Sequence, residues 1–199
     1  MAHIDYFFST MSPFTYLAGT RLEEIAARHG ATLSYKPLDI LALFTRTGGT
    51  APKDRHDNRK AYRMQELKRQ SVKAGLAMNF APMFFPVNTA PSSYAIIAAQ
   101  KAGGGDVSAL VHGFTRAVWA EERNIAEDEV IRDVMTRAGF DPAIADHGMM
   151  MAADTYMANL EEAVSRGVFG APFYICDDDE RFWGQDRLDD LDLHLAGKL

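Results

Sequence analysis

The chain has 199 residues, 47% of them apolar, and a net charge of −6. This composition excludes an intrinsically disordered chain, and the acidic balance argues against broad nucleic-acid binding. Cys176 is the only cysteine, which rules out an intrachain disulfide and a Cys-rich metal site.

Residues 4–8 form an aromatic and apolar run of the kind that makes a buried strand. The run is short and lacks the basic leader of a secretory signal. No stretch in the chain approaches the roughly 18 apolar residues of a membrane span. A cytoplasmic enzyme is the expectation. Ser12-Pro13 follows as a helix start, Ser at the N-cap and Pro at the first helical position. The pattern predicts one helix running to His29-Gly30, then a second strand over residues 32–38.

The middle of the chain reads as helical: residues 55–74, 92–102, 107–118, 127–138 and 150–166. Arg59, Lys60, Arg63, Lys68 and Arg69 recur at helical spacing and predict a solvated face. Between the first two of these helices lies a loop with three prolines and the run Phe84-Phe85-Pro86-Val87-Asn88. The end returns to strands, a hairpin over residues 173–183, with a closing helix over residues 187–195. The order β-α-β, helices, β-β-α predicts an α/β fold. Its discontinuous sheet domain comprises residues 1–40 and 167–199, and a helical insertion fills residues 41–166.

That layout, with four motifs in order, resembles the 2-hydroxychromene-2-carboxylate isomerases and kappa-class glutathione transferases, a DsbA-like branch of the thioredoxin fold. The motifs are Ser12-Pro13-Phe14-Thr15-Tyr16-Leu17-Ala18, Phe85-Pro86-Val87-Asn88, the segment NLEEAVSRGVFGAP over residues 159–172, and FWGQDRL over residues 182–188. The resemblance spans essentially the whole chain. It implies a glutathione-dependent cis–trans isomerase of aromatic degradation intermediates, with glutathione and a small aromatic compound as partners. A homodimer, with no nucleic acid and no membrane partner, is expected. A glutathione transferase and a glutathione-binding module without turnover are the alternatives.

The dithiol positions of thioredoxin-like oxidoreductases hold Ser12 and Thr15 here, so dithiol exchange at this site is excluded. Ser12 caps a helix, and the resemblance adds hydrogen bonding to a glutathione thiolate. By the same resemblance the bond before Pro172 is cis, and the main chain of Ala171 pairs with glutathione. Gln185-Asp186 opens the last helix and either caps it or grips the γ-glutamyl end. A cation at Arg59 or Lys60 meets a carboxylate. Gly49 stands where the family has an Asn. Phe14, Phe85, Asn88 and Asn159 are substrate-pocket candidates, together with Phe44, Met83, Phe84 and Trp119. The six histidines follow no ligand spacing, so no metal is assigned. Cys176 is expected to be a buried, inert thiol.

Overall fold

The computed structural model describes residues 1–199. Strand β1 (His3–Phe8) leads into two short helices, α1 (Pro13–Ala18) and α2 (Arg21–His29), and then strand β2 (Thr32–Pro37). The single helix expected over residues 12–30 is therefore broken. Gly19 ends α1 at φ 58° and ψ −135°, outside the helical region and accessible to glycine without steric cost. Helix α3 (Ile40–Thr47) follows, a helix the sequence reading missed. Asp39 starts it, its carboxylate accepting hydrogen bonds from the Leu41 and Ala42 N–H groups at 2.9 and 3.1 Å, and Gly48 closes it in the left-handed region.

The long helix α4 (Asp57–Ala74) is followed by α5 (Ala90–Ala102), α6 (Val107–Trp119), α7 (Asp128–Arg137), the short α8 (Ala143–His147) and α9 (Met149–Ser165). The chain ends with β3 (Phe173–Cys176), β4 (Arg181–Trp183) and α10 (Leu188–Leu195), the last entered through a turn of 3₁₀ helix at Gln185–Arg187. No helix is long and apolar enough to cross a membrane.

The four strands lie in the order β2-β1-β3-β4, with β1 and β2 parallel and the other pairs antiparallel. Side chains alternate across a strand, and β1 uses both faces. Ile4, Tyr6 and Phe8 enter the main core with Tyr35, Tyr174 and, from the insertion, Leu110, Phe114 and Val134. One apolar cluster thus runs through the sheet and the helical insertion alike. Phe7 points the other way, into a smaller core with Leu38, Ile40, Leu43 and Ala163 under α3 and α9. On that face Asp5 is gripped by Arg166 and by Lys36, the latter at 3.1 Å. Burial would raise its pKa, but these two cations outweigh it and hold the carboxylate below its usual range.

Candidate active site

The loop from β1 to α1 is buried and fixed from several sides. Thr10 Oγ1 lies 2.9 Å from Ser92 Oγ on α5, and the Trp119 indole N–H donates to the Met11 carbonyl at 3.2 Å. The Ser12 N–H closes a turn on the Ser9 carbonyl at 2.9 Å. Ser12 is thereby set at the carboxyl end of β1, at the start of α1 and beside the loop that enters β3. Its hydroxyl accepts from the Thr15 N–H and donates to the Ala171 carbonyl, both at 3.3 Å. Both bonds are longer than the usual 2.7–3.2 Å and are easily exchanged for a stronger partner. The Phe14 and Ala171 N–H groups make no hydrogen bond within the chain.

The bond before Pro172 is cis, as the resemblance implied, and the Pro172 carbonyl accepts from the Gly184 N–H at 2.9 Å. This ties the Ala171 loop to the end of β4. The bond before Pro86 is also cis, which nothing in the sequence reading anticipated.

Two adjoining chambers open at this point. The apolar one, about 240 Å³, is lined by Ser12, Phe14, Ile40, Leu41, Phe44 and Phe85 among others. The polar one, about 760 Å³, is lined by Asn58, Arg59, Tyr62, Glu66, Gln185 and Asp186 among others. They share a wall made of Phe14, Arg55, Arg63, Ala171 and Trp183.

The structure therefore brings Ser12, Phe14, Arg59, Phe85, Ala171, Gln185 and Asp186 to one cleft, with Pro172 directly behind it. Lys60 does not join them. Successive helical residues point about 100° apart, and with Arg59 facing the cleft Lys60 turns to Asp57 at 3.2 Å. Asn88 and Asn159 also stand outside the lining. Asn88 is exposed and accepts from the Ala90 N–H at 3.1 Å, fixing the entry to α5. Asn159 is buried and donates to the Pro37 carbonyl at 3.0 Å, tying α9 to the end of β2. Met83 is exposed, Phe84 lines neither chamber, and Trp119 is core.

Several lining residues were missed, Ile40 and Leu41 on α3 and Trp183, Arg55 and Arg63 among them. Trp183 gave no signal beyond its place in a motif. Arg55 precedes α4, and Arg63 had been assigned to a solvated face but is drawn into the cleft. Burial and the nearby Arg55 hold the Arg63 pKa below the usual guanidinium range, and burial and Arg59 do the same for Arg55.

At the opposite end of the β3–β4 hairpin, Cys176, Asp178 and His194 have ligand atoms within 4.8 Å of one another, a grouping the spacing of the histidines did not suggest. His194 Nε2 lies 3.0 Å from Asp178 Oδ2, fastening α10 to the hairpin turn. Burial and then the carboxylates of Asp178, Asp177 and Glu180 push the Cys176 thiol up to about 12, which leaves it a poor nucleophile at neutral pH.

Comparison with known proteins agrees with this geometry. The family model described as DSBA-like thioredoxin domain matches residues 3–196. A 2-hydroxychromene-2-carboxylate isomerase of Sphingobium xenophagum is 31% identical over 195 residues, covering 96% of this chain and 97% of the relative. One from Pseudomonas putida is 30% identical over 190 residues, covering 93% and 90%. The solved structure of a 2-hydroxychromene-2-carboxylate isomerase superposes with a TM-score of 0.77 at 26% identity, covering 98% of this chain and 95% of that one. A probable DsbA oxidoreductase from Streptomyces coelicolor shares the fold, with a TM-score of 0.76 at 19% identity over 100% of this chain and 92% of its own. The chain belongs to the DSBA-like thioredoxin domain family and, within it, to the family of the 2-hydroxychromene-2-carboxylate isomerases.

Proposed function

We propose that the chain catalyses the cis–trans isomerisation of 2-hydroxychromene-2-carboxylate or a close aromatic analogue, with glutathione as its thiol cofactor. The observation that carries this reading is the division of one cleft into an apolar and a polar chamber that share Ala171, with the Ser12 hydroxyl lining the apolar side and bonded to the Ala171 carbonyl. The apolar chamber suits a fused aromatic ring and the polar one a charged tripeptide.

The donors present fit glutathione. The Ala171 N–H sits beside a cis proline without a partner, and its carbonyl has only the 3.3 Å bond from Ser12, so both can pair with an extended peptide. Asp186 offers a carboxylate for the γ-glutamyl ammonium, since its only cation, Arg187, is 3.3 Å away and exposed. Arg59, in no ion pair, offers a cation for a carboxylate. When bound, glutathione supplies a thiolate nucleophile for the conjugated carbon, which lets the adjacent double bond become a rotatable single bond. The chain's own contribution is to hold that thiolate charged and aimed. The Ser12 O–H leaves its weak bond to the Ala171 carbonyl and donates to the sulfur, and the free Phe14 N–H adds a second donor. Phe14, Phe44 and Phe85 exclude water from the reacting end.

Turnover of 2-hydroxychromene-2-carboxylate with substoichiometric glutathione tests the reading. Many turnovers per glutathione are expected. Consumption of one glutathione per product would make the protein a transferase. A wild-type protein with no turnover and no thermal shift in millimolar glutathione would refute the proposal. Glutathione at ten times its dissociation constant adds about 1.4 kcal/mol, worth roughly 3–6 °C for a chain of this size.

A further inference from the structure

Arg55, Arg59 and Arg63 are unlike the rest of the arginines. Every other arginine in the chain is in an ion pair with a carboxylate, and these three are in none. All three line the cleft. Two acids share the lining: Glu66 is engaged by Arg69 and Gln70, and Asp186, which has Arg187 at 3.3 Å, is the carboxylate assigned above to the γ-glutamyl ammonium, so neither neutralises the three arginines. The cleft therefore holds an uncompensated cluster of positive charge, partly withdrawn from water, and that arrangement is stabilised by an anionic occupant.

Arg55 is the one of the three whose guanidinium a hydrogen bond holds; Arg63 lies over the Phe85 ring, 6.0 Å from the centroid, with no such bond. The Arg55 Nε donates to the Thr50 carbonyl at 2.8 Å, and its guanidinium lies over the Phe44 ring, 5.8 Å from the centroid. These contacts leave both terminal nitrogens without a partner in the chain. Gly49 makes the seat possible. A Cβ there would lie 2.4 Å from Phe44 Cδ1, so any other residue would displace the ring on which Arg55 rests. The guanidinium is thus oriented before a ligand arrives, at the wall common to both chambers and beside the aromatic lining of the apolar one.

We propose that Arg55 is a specificity-determining residue whose free guanidinium edge binds the carboxylate of an aromatic acid seated in the apolar chamber. This deepens the function proposed above and rests on that assignment of the polar chamber to glutathione. Glutathione brings two carboxylates to three unpaired guanidiniums, and the arginine seated on Phe44 is the one left for the second ligand. The subsite selects aromatic carboxylates over neutral aromatics of the same shape.

The test needs neither turnover nor glutathione. The probes are 3-(2-hydroxyphenyl)propanoate and its primary amide, titrated against the full chain and followed by tryptophan emission, to which Trp183 in the cleft and the buried Trp119 both contribute. The wild type is expected to bind the acid about tenfold or more tighter than the amide, the scale of a charge-assisted hydrogen bond. Arg55→Met keeps an apolar stem on Phe44 and should erase that preference while leaving amide affinity within about twofold. Arg55→Lys keeps the charge without the planar fork and should restore part of it, which also covers the case in which Arg55→Met does not fold. Equal affinity of the wild type for acid and amide would overturn the proposal, as would a preference that survives Arg55→Met or an equal loss for both probes. Glutathione binding is measured separately by thermal shift. If Arg55→Met abolishes that shift, Arg55 serves the thiol cofactor and the present proposal fails while the glutathione reading stands. If the wild type shows no shift yet keeps an Arg55-dependent acid preference, the glutathione reading fails, and the carboxylate subsite at Arg55 stands on its own geometry without it.

Discussion

Ser12 does two jobs that substitution can separate. As the N-cap of α1 it satisfies the Thr15 N–H, and in the proposed reaction it donates to a thiolate. Replacing an N-cap Ser with Ala costs about 0.5–2 kcal/mol, and the 3.3 Å bond places Ser12 toward the low end. At roughly 2–4 °C per kcal/mol, Ser12→Ala should lower the melting midpoint by about 1–4 °C. Gly costs only a few tenths of a kcal/mol at a cap, so Ser12→Gly should melt close to the wild type. Both variants lose the hydroxyl. A hydrogen bond to a charged group contributes about 1.5–3 kcal/mol, so kcat/KM should fall about 10- to 150-fold in each. Ser12→Asp retains a capping oxygen but sets a carboxylate beside the thiolate, and it should lose at least as much activity with little change in midpoint. The assays are calorimetric melting and steady-state isomerisation at saturating glutathione. A Ser12→Gly protein with wild-type kcat/KM would show that the hydroxyl is a cap and nothing more.

The half-buried Glu23 gives a pH prediction. Burial raises its pKa; one oxygen accepts from the Tyr35 hydroxyl at 2.9 Å and the other has no partner. A carboxyl whose folded pKa is raised costs stability as pH climbs from the unfolded value, about 4.3, through the folded one. Glu23→Gln removes that charge and should raise the midpoint at pH 7 by more than at pH 4; equal midpoints at the two pH values relative to wild type would contradict the assignment. Asn159 stands outside the cleft and joins α9 to β2 through the Pro37 carbonyl. Asn159→Ala leaves that buried carbonyl unsatisfied and should cost about 1–3 kcal/mol in denaturant unfolding, with kcat and KM of the folded protein unchanged. A changed KM would return Asn159 to the binding site.

The strand and helix order was legible because local periodicity and end signals agree along most of the chain. What was missed turns on short-range geometry. Gly19 breaks the first helix through a backbone angle that the flanking apolar spacing conceals. Helix α3 was passed over because residues 40–44 are a short apolar run, although Asp39 and Gly48 mark its two ends. That omission hid Ile40 and Leu41, which α3 carries to the apolar chamber beside Phe44, itself anticipated as a pocket residue. Ser12, Ala171 and Asp186 were readable because each belongs to a motif with a fixed place in the fold. Arg63 was not, because helical spacing of charges does not say which flank of α4 meets the cleft, and Arg55 was not, because it sits in the turn before α4 rather than on the helix. Asn88 and Asn159 were assigned to the pocket from their motifs, whereas the main-chain groups nearest to them had first claim on their side chains.

The strand order also carries a consequence for synthesis. The central strand β1 is made before both its neighbours, and one of them, β3, follows only after the whole helical insertion, paired through contacts such as Phe7 with Phe173. Until then β1 has only β2 beside it and an open edge, and such non-local pairing is slow to form and exposed to aggregation. Ser12 and Ala171 meet only when that edge closes. A chain ending before residue 173 lacks Trp183, Gln185 and Asp186 of the cleft, and with Tyr174, Phe182 and Leu188 it also loses part of the core on which the helices pack. The cleft is therefore complete only once the sheet has closed around β1.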